Sequence, residues 1–306
     1  MTVDDPGDHR EFDVEAPLVP TGNLRRRLIV NRVATGTATA AAVIAVAVLA
    51  IVVISVGRKG ASVLSFGFLT KNPPLFPTQV GGIAPAIVGS AIIVGLATAM
   101  AAPLGVLIAL YMTEIAPKSR SAQLVRMVLD LLNGVPAIVI GVFIYGLMVV
   151  GHGPSGFAGS VALAIIMLPL ISRASQEVLL LVPPALRDAA DALGVARWRT
   201  VLGVILPSAL GGILTGTLLA VARAAGESAP LVLIYLAVTP GVQTNPFNVG
   251  HGMDNIPVSI FVASTSDIKT AEARAWGAAF VLLMFILITS VGARALLNRS
   301  RRRLTA

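Results

Sequence analysis

Cysteine is absent from this 306-residue chain, and charged residues make up only 12% of it. The first absence excludes a disulfide framework, a thiolate metal site and a thiol nucleophile. Histidine is almost as scarce. His9, His152 and His251 lie too far apart in sequence to suggest a metal cluster by spacing. No Gly-x-x-x-x-Gly-Lys-[Ser/Thr] loop occurs, and no Gly-Lys dipeptide at all, so the chain has no phosphate-cradling nucleotide loop of that kind. The shortage of charge says most about its surroundings. Soluble domains carry about 25% charged residues, and half that proportion points to lipid as the solvent.

What is there agrees. Apolar residues make up 56% of the chain and the mean hydropathy is +0.86. An apolar helix needs about 20 residues to cross a bilayer, and six runs approach that length. They cover about 33–56, 85–112, 124–150, 160–182, 208–238 and 276–297. The expected fold is an all-α membrane protein with six transmembrane helices and both termini on one side. The formal charge of +8 is then a matter of topology rather than a footprint for nucleic acid. Arg10, Arg25-Arg26-Arg27, Arg32, Lys118, Arg120, Arg126, Arg187, Arg197, Arg199, Arg294, Arg299 and Arg301-Arg302-Arg303 fall on the terminal side. The other side holds Arg58, Lys59, Lys71, Lys269 and Arg274. Positive residues stay in the cytoplasm, so both termini are expected inside a multi-pass protein of a bacterial cytoplasmic membrane.

Residues 1–32 read as a disordered, acidic cytoplasmic tail that ends in a basic cluster at the membrane edge. The tail is too acidic, and lacks the short apolar core, to be a secretory leader. Residues 33–298 form the membrane domain, and 299–306 a basic cytoplasmic end. In the first outer loop, Lys71-Asn72-Pro73-Pro74 and Gly81-Gly82 suit turns, and Thr70–Phe76 is either a connector or a contact for an external partner. Gly89, Gly95, Pro103 and Gly105 in the second span, and Asn133-Gly134-Val135-Pro136 in the third, suit close helix packing and interruption. Glu114 and Asp130 fall near the inner face, where a solvated or capping role is expected. Arg173 and Glu177 in the fourth span stand at i and i+4. They can neutralise one another, or Arg173 can line a pathway.

The polar stretch from Pro183 to Pro207 separates two spans. Ala189, Ala190 and Ala192 favour a short helix, and Gly194 can end it in a conformation that other residues enter at a cost. Arg197-Trp198-Arg199 then leads back to the membrane. A short helix lying on the membrane surface suits a groove on another protein. Arg223 follows sixteen residues beyond Pro207 in the fifth span, about 24 Å along a helix. An arginine at a bilayer centre costs roughly 2.5–3.5 kcal/mol even on a mild scale. Glu227, at i+4, is expected to share its face and charge. An ion pair with no task gains little over apolar residues, so Arg223 is the candidate contact for an anion in transit, its planar fork suiting an oxoanion. Glu227 would hold Arg223 between passages, or accept a hydrogen bond from a protonated phosphate oxygen.

Asp188-Ala189-Ala190, Gly194 and Val204-Ile205-Leu206-Pro207 resemble the EAA motif of ATP-binding-cassette (ABC) importer permeases, with Asp188 for Glu and Val204 for Ile. Ala222-Arg223-Ala224-Ala225-Gly226-Glu227-Ser228-Ala229-Pro230-Leu231 is similar to the signature of phosphate ABC importer permeases, its Ala-Pro-Leu ending to the PstA type. The stretches 133–141 and 81–90 are also similar to that family. The resemblance implies a type I ABC importer permease fold and a transport subunit without enzymatic chemistry. No cofactor is bound directly, and ATP is used by a partner. The implied partners are two ABC ATPase subunits docking on the loop at Asp188, Ala189, Ala190 and Gly194; a second, related permease; and an extracytoplasmic phosphate-binding protein. Thr239–Ala275 is a candidate contact for that last partner, with His251 and Asp254 read as solvated loop residues. Phosphate is the implied substrate, with Arg223, Glu227 and Arg173 as its path. The rivals are a permease for sulfate, molybdate or phosphonate; an ion-coupled secondary transporter or channel, although no repeated halves are visible; and a membrane receptor or scaffold.

Overall fold

The computed structural model describes residues 23–74, 79–235 and 248–304, and all regular structure among them is helical. The readings of residues 1–22, Phe76, Asn245-Pro246 and the rest of 239–247 lie outside the described residues. The chain divides into two compact units, one up to Ile54 and one from Ser55 onward. Helix α1 spans Asn23–Ala61 and supplies nearly all that is described of the first unit. It begins within the stretch read as tail, because Leu24 and Arg25-Arg26-Arg27 are good helix formers that extend the apolar run backward.

In the second unit, the last turns of α1 meet the final helix, α12 (Lys269–Leu304). Lys59 Nζ lies 4.4 Å from the centre of the Trp276 ring. Helix α2 (Phe66–Thr70) follows, capped by Ser65 Oγ, which accepts from the Phe68 amide. The centre of the unit is a pair of long helices, α3 (Ala84–Leu110, prolonged by a π-type turn through Ile115) and α6 (Gly156–Leu180). They run parallel. Ile93 and Val94 share a core with Ala158 and Ala162, a side chain at Gly105 would strike Ile171, and Leu110 packs with Leu179.

Two parallel helices in one chain need a crossing between them, and α4 (Arg120–Gly134) with α5 (Ala137–Ile144, prolonged through Val149) makes it. Continuity at Val135-Pro136 fails here. The two halves bend by 97°, because proline disfavours helical backbone at the residue before it, and Val135 is extended. Among the described residues five helices are long and apolar enough to cross a membrane, and the count is six with this bent pair taken as one span.

Helices α7 (Pro184–Ala192) and α8 (Arg197–Thr200) lie at one end of the unit. A π-type turn then leads into α9 (Leu206–Ala225), which runs antiparallel to α6, with Gly212 against Val178 and Gly216 against Ala174. The expected single span from 208 to 238 is therefore two pieces. Helix α9 starts earlier, through α8, and stops at Gly226, with α10 (Ala229–Tyr235) as a separate segment. Gly226 weakens the helix, and Pro230 has no amide hydrogen to bond back to its carbonyl. Helix α11 (Ile256–Ser264) lies at the opposite end, where the Ile256 amide donates to Ser90 Oγ. Helix α12 returns the chain antiparallel to α9, with Thr215 Oγ1 donating to the Ala293 carbonyl.

Candidate translocation and docking site

Arg223 lies in the last turn of α9 and is exposed. Ala220, Ala224 and Ala225 beside it pack in the same core as Met167, midway along α6, so Arg223 stands halfway through the apolar bundle. Glu227 is half-buried on the link to α10. The expected i, i+4 pair does not form, and among the described residues neither side chain has an ion-pair partner. The reason is the helix end. The Gly226 and Glu227 amides donate to the carbonyls of Arg223 and Ala224, three residues back, so the chain leaves the helical spiral before Glu227 reaches the Arg223 face. Position at a helix C-terminus still favours the guanidinium.

Arg173 does not pair with Glu177 either. Its Nη2 donates to Asp130 Oδ1 on α4, so Asp130 is a salt-bridge partner rather than merely a solvated or capping group. The two border a cleft of about 310 Å³ lined also by Arg126, Gln176 and Glu177. Arg223 and Glu227 are not among its walls. The residues read as one path thus fall into two places, a helix break at mid-depth and a charged cleft between α4 and α6.

The α7 segment is built as its sequence suggests. Leu193 ends the helix, Gly194 takes φ +65°, and the amides of Gly194 and Val195 bond to the carbonyls of Asp191 and Ala190. This is a Schellman stop, and it needs the left-handed residue that glycine supplies. Asp188, Ala189 and Gly194 are exposed, while Ala190 is buried. Leu193 is 82% exposed and Trp198 61%. Both are large apolar side chains left open beside a polar helix.

Sequence reasoning missed the strongest charge pair. Glu114, expected to be solvated or capping, has a side chain only 2% exposed and binds Arg187 of α7 through both oxygens, at 2.6 and 3.2 Å. This bond holds the guanidinium above its ordinary pKa, burial opposing it in part. Arg187 also donates to the carbonyls of Val182 and Leu179 at the end of α6. The signal was an acidic residue just before Ile115-Ala116-Pro117, too weak to separate from a surface glutamate.

At the other end, His251 is exposed, but Asp254 is largely buried rather than solvated. Its Oδ1 accepts from the Asn255 amide and Ser259 Oγ, while Oδ2 and Asn255 Nδ2 have no hydrogen-bond partner among the described residues. Burial pushes the Asp254 carboxyl above the ordinary range, with Ser259, the Asn255 amide and Arg274 opposing it. Among the described residues no histidine or carboxylate cluster could hold a metal ion.

A parallel pair of long apolar helices, two broken crossings and an exposed surface helix between spans define a membrane permease. The chain belongs to the family of binding-protein-dependent transport system inner membrane components, whose model matches residues 101–303. It is 38% identical to the phosphate transport system permease protein PstA of Xylella fastidiosa (strain 9a5c), over 90% of this chain and 96% of that one. It is 35% identical to PstA of Haemophilus influenzae (strain ATCC 51907 / DSM 11121 / KW20 / Rd), over 86% and 92%. PstA 1 of Mycobacterium tuberculosis (strain ATCC 25618 / H37Rv) is 35% identical, over 91% and 92%. Among solved structures, the inward-facing MetNI methionine ABC transporter superposes with a TM-score of 0.54 at 16% identity, covering 72% of this chain and 94% of that one. The fold is accordingly that of a type I ABC importer permease, a transport subunit in the cytoplasmic membrane.

Proposed function

We propose that this chain is one of two permease subunits of an ATP-driven importer, and that it passes inorganic phosphate at the break between α9 and α10. The observation that carries the reading is Arg223, an exposed guanidinium at mid-depth of an apolar bundle with no ion-pair partner among the described residues. Lipid is a costly neighbour for that group. A water-filled path shared with a second, related permease satisfies it. Broken helices near the midplane are where transporters hold their substrates, and similarity to PstA proteins along most of the chain supports phosphate as the anion.

Glu227 has no role as a resting counter-ion, because the two side chains do not pair. It serves instead as an acceptor for a protonated phosphate oxygen, which sulfate at neutral pH does not offer. Arg173, held by Asp130 in the charged cleft, is a second stop for the anion on the α7 side. Asp188, Ala189, Ala190 and Gly194 present the α7 surface to ABC ATPase subunits in the cytoplasm, where both termini also lie. An extracytoplasmic phosphate-binding protein docks at the α11 end. ATP is bound and hydrolysed by the partner, not by this chain.

The test is uptake of labelled phosphate in phosphate-starved cells carrying wild type, Arg223→Ala or Glu227→Gln, at matched membrane levels. Arg223→Ala is expected to lose at least about tenfold in rate, the worth of one or two bonds to a charged group, with the complex still assembled. Glu227→Gln is expected to narrow the preference for phosphate over sulfate. Undiminished uptake by Arg223→Ala would make that arginine structural and remove the anion path from this break.

A further inference from the structure

Helix α7 carries the surface assigned above to the ATPase, yet Ala190 is the one buried residue among its nine. A short helix so lightly packed transmits little force unless something fixes it to the spans. Arg187 does so with four hydrogen bonds. Two run to Glu114 Oε2 and Oε1, at 3.2 and 2.6 Å, on the turn that ends α3. Two more run to the carbonyls of Val182 at 2.8 Å and Leu179 at 3.0 Å, where α6 stops. The Leu179 carbonyl also accepts from the Val182 amide, so the guanidinium adds to the closing turn of α6 and reaches the first residues beyond it.

Helices α3 and α6 form the parallel pair at the centre of the unit. At their far ends, a side chain at Gly89 would strike the Asp254 carbonyl and one at Gly156 would strike Met253. The Gly156 and Phe157 amides also donate to the His251 and Val249 carbonyls. Each of the two helices continues past an internal proline, Pro103 in α3 and Pro169 in α6, and so joins the point held by Arg187 to the 248–255 loop. A planar fork held at four points resists rotation as well as translation, which a lysine ammonium does not.

We infer that the Glu114–Arg187 pair, buried on its Glu114 side, with the two α6 carbonyls, is the link that carries movement of α7 into the α3–α6 pair, making Arg187 a positioning residue for energy coupling. The inference rests on the reading of α7 as the ATPase-docking helix. It differs from that reading in locating where force enters the spans.

The experiment uses the assembled transporter in phospholipid vesicles, with ATP hydrolysis and uptake of inorganic phosphate measured together. Arg187→Lys keeps the charge and loses the fork. The double variant Glu114→Leu with Arg187→Leu removes both charges, so no unpaired charge is left buried. Both are expected to assemble with the ATPase and hydrolyse ATP, while phosphate moved per ATP falls roughly tenfold, within the usual range of coupling between sites. A wild-type ratio in both variants overturns the inference. So does loss of the ATPase from the purified variants, which would make the pair a determinant of docking rather than of transmission. The wild-type preparation separates this inference from its premise: if no ATPase accompanies wild type, the docking reading fails and the link falls with it.

Discussion

Asp254 shows how a single side chain reports on its surroundings. Its backbone carbonyl lies against Gly89 of α3, and its carboxylate is enclosed by Asn255, Ser259 and Arg274. Burial raises its pKa above the ordinary 3.8, and the folded state therefore holds a proton that the unfolded chain releases sooner. A raised folded pKa contributes stability below the unfolded value and loses it as pH climbs through the folded one. Lowering the pH from neutrality toward 3.8 is thus expected to raise the melting temperature of wild type relative to Asp254→Asn, whose neutral amide has no charge to desolvate. Melting curves of the purified complex across that range check it, and parallel curves for the two would remove Asp254 as the source. The sequence offered a carboxylate in a Gly/Asn-rich segment, which is solvated far more often than not. Only the neighbours brought over by α3, α11 and α12 bury it.

At the scale of elements, the two broken crossings meet. Helix α5 packs on α10 through Gly141, where a Cβ would stand 2.6 Å from Pro230 Cα. Alanine for glycine inside a helix ordinarily stabilises by about 0.5–1 kcal/mol. Here the sign is expected to reverse, because Pro230 is backbone-rigid and cannot yield. Gly141→Ala should lower both the melting temperature and the rate of phosphate uptake. A stabilised or unchanged variant would show that α5 and α10 can part without consequence. The composition around each break was legible: Gly134-Val135-Pro136 and Gly226 with Pro230 are plain interruption signals. Their effect was not. Counting i+4 from Arg223 to Glu227 assumes an unbroken helix, and the helix ends between them. The same counting paired Arg173 with Glu177, whereas α4 brings Asp130 closer.

At the scale of the whole molecule, the absence of cysteine makes each introduced thiol unique. Under the proposed path the Arg223 face is wetted and differs from a lipid-facing one, for which apolar, exposed Leu104 on α3 is the chosen reference. With the transporter in its membrane, Arg223→Cys is expected to react with a small charged thiol reagent at least about tenfold faster than Leu104→Cys, since lipid excludes charged groups. Added phosphate should slow the first reaction and leave the second unchanged. Equal rates would put lipid on both faces and contradict the shared path.

Sequence alone sets the solvent and the chemistry on offer. Scarce charge and runs of about 20 apolar residues leave the bilayer as the natural medium. It also determined the α7 stop, because Gly194 supplies a backbone conformation that other residues enter only with strain. Tertiary structure decided which charges meet. Glu114 and Arg187, and Asp130 with Arg173, are far apart along the chain and come together only because α3, α4 and α6 pack side by side. Local periodicity describes neighbours on one helix. The partner that wins is the one nearest in space, and that distance is set by packing between helices.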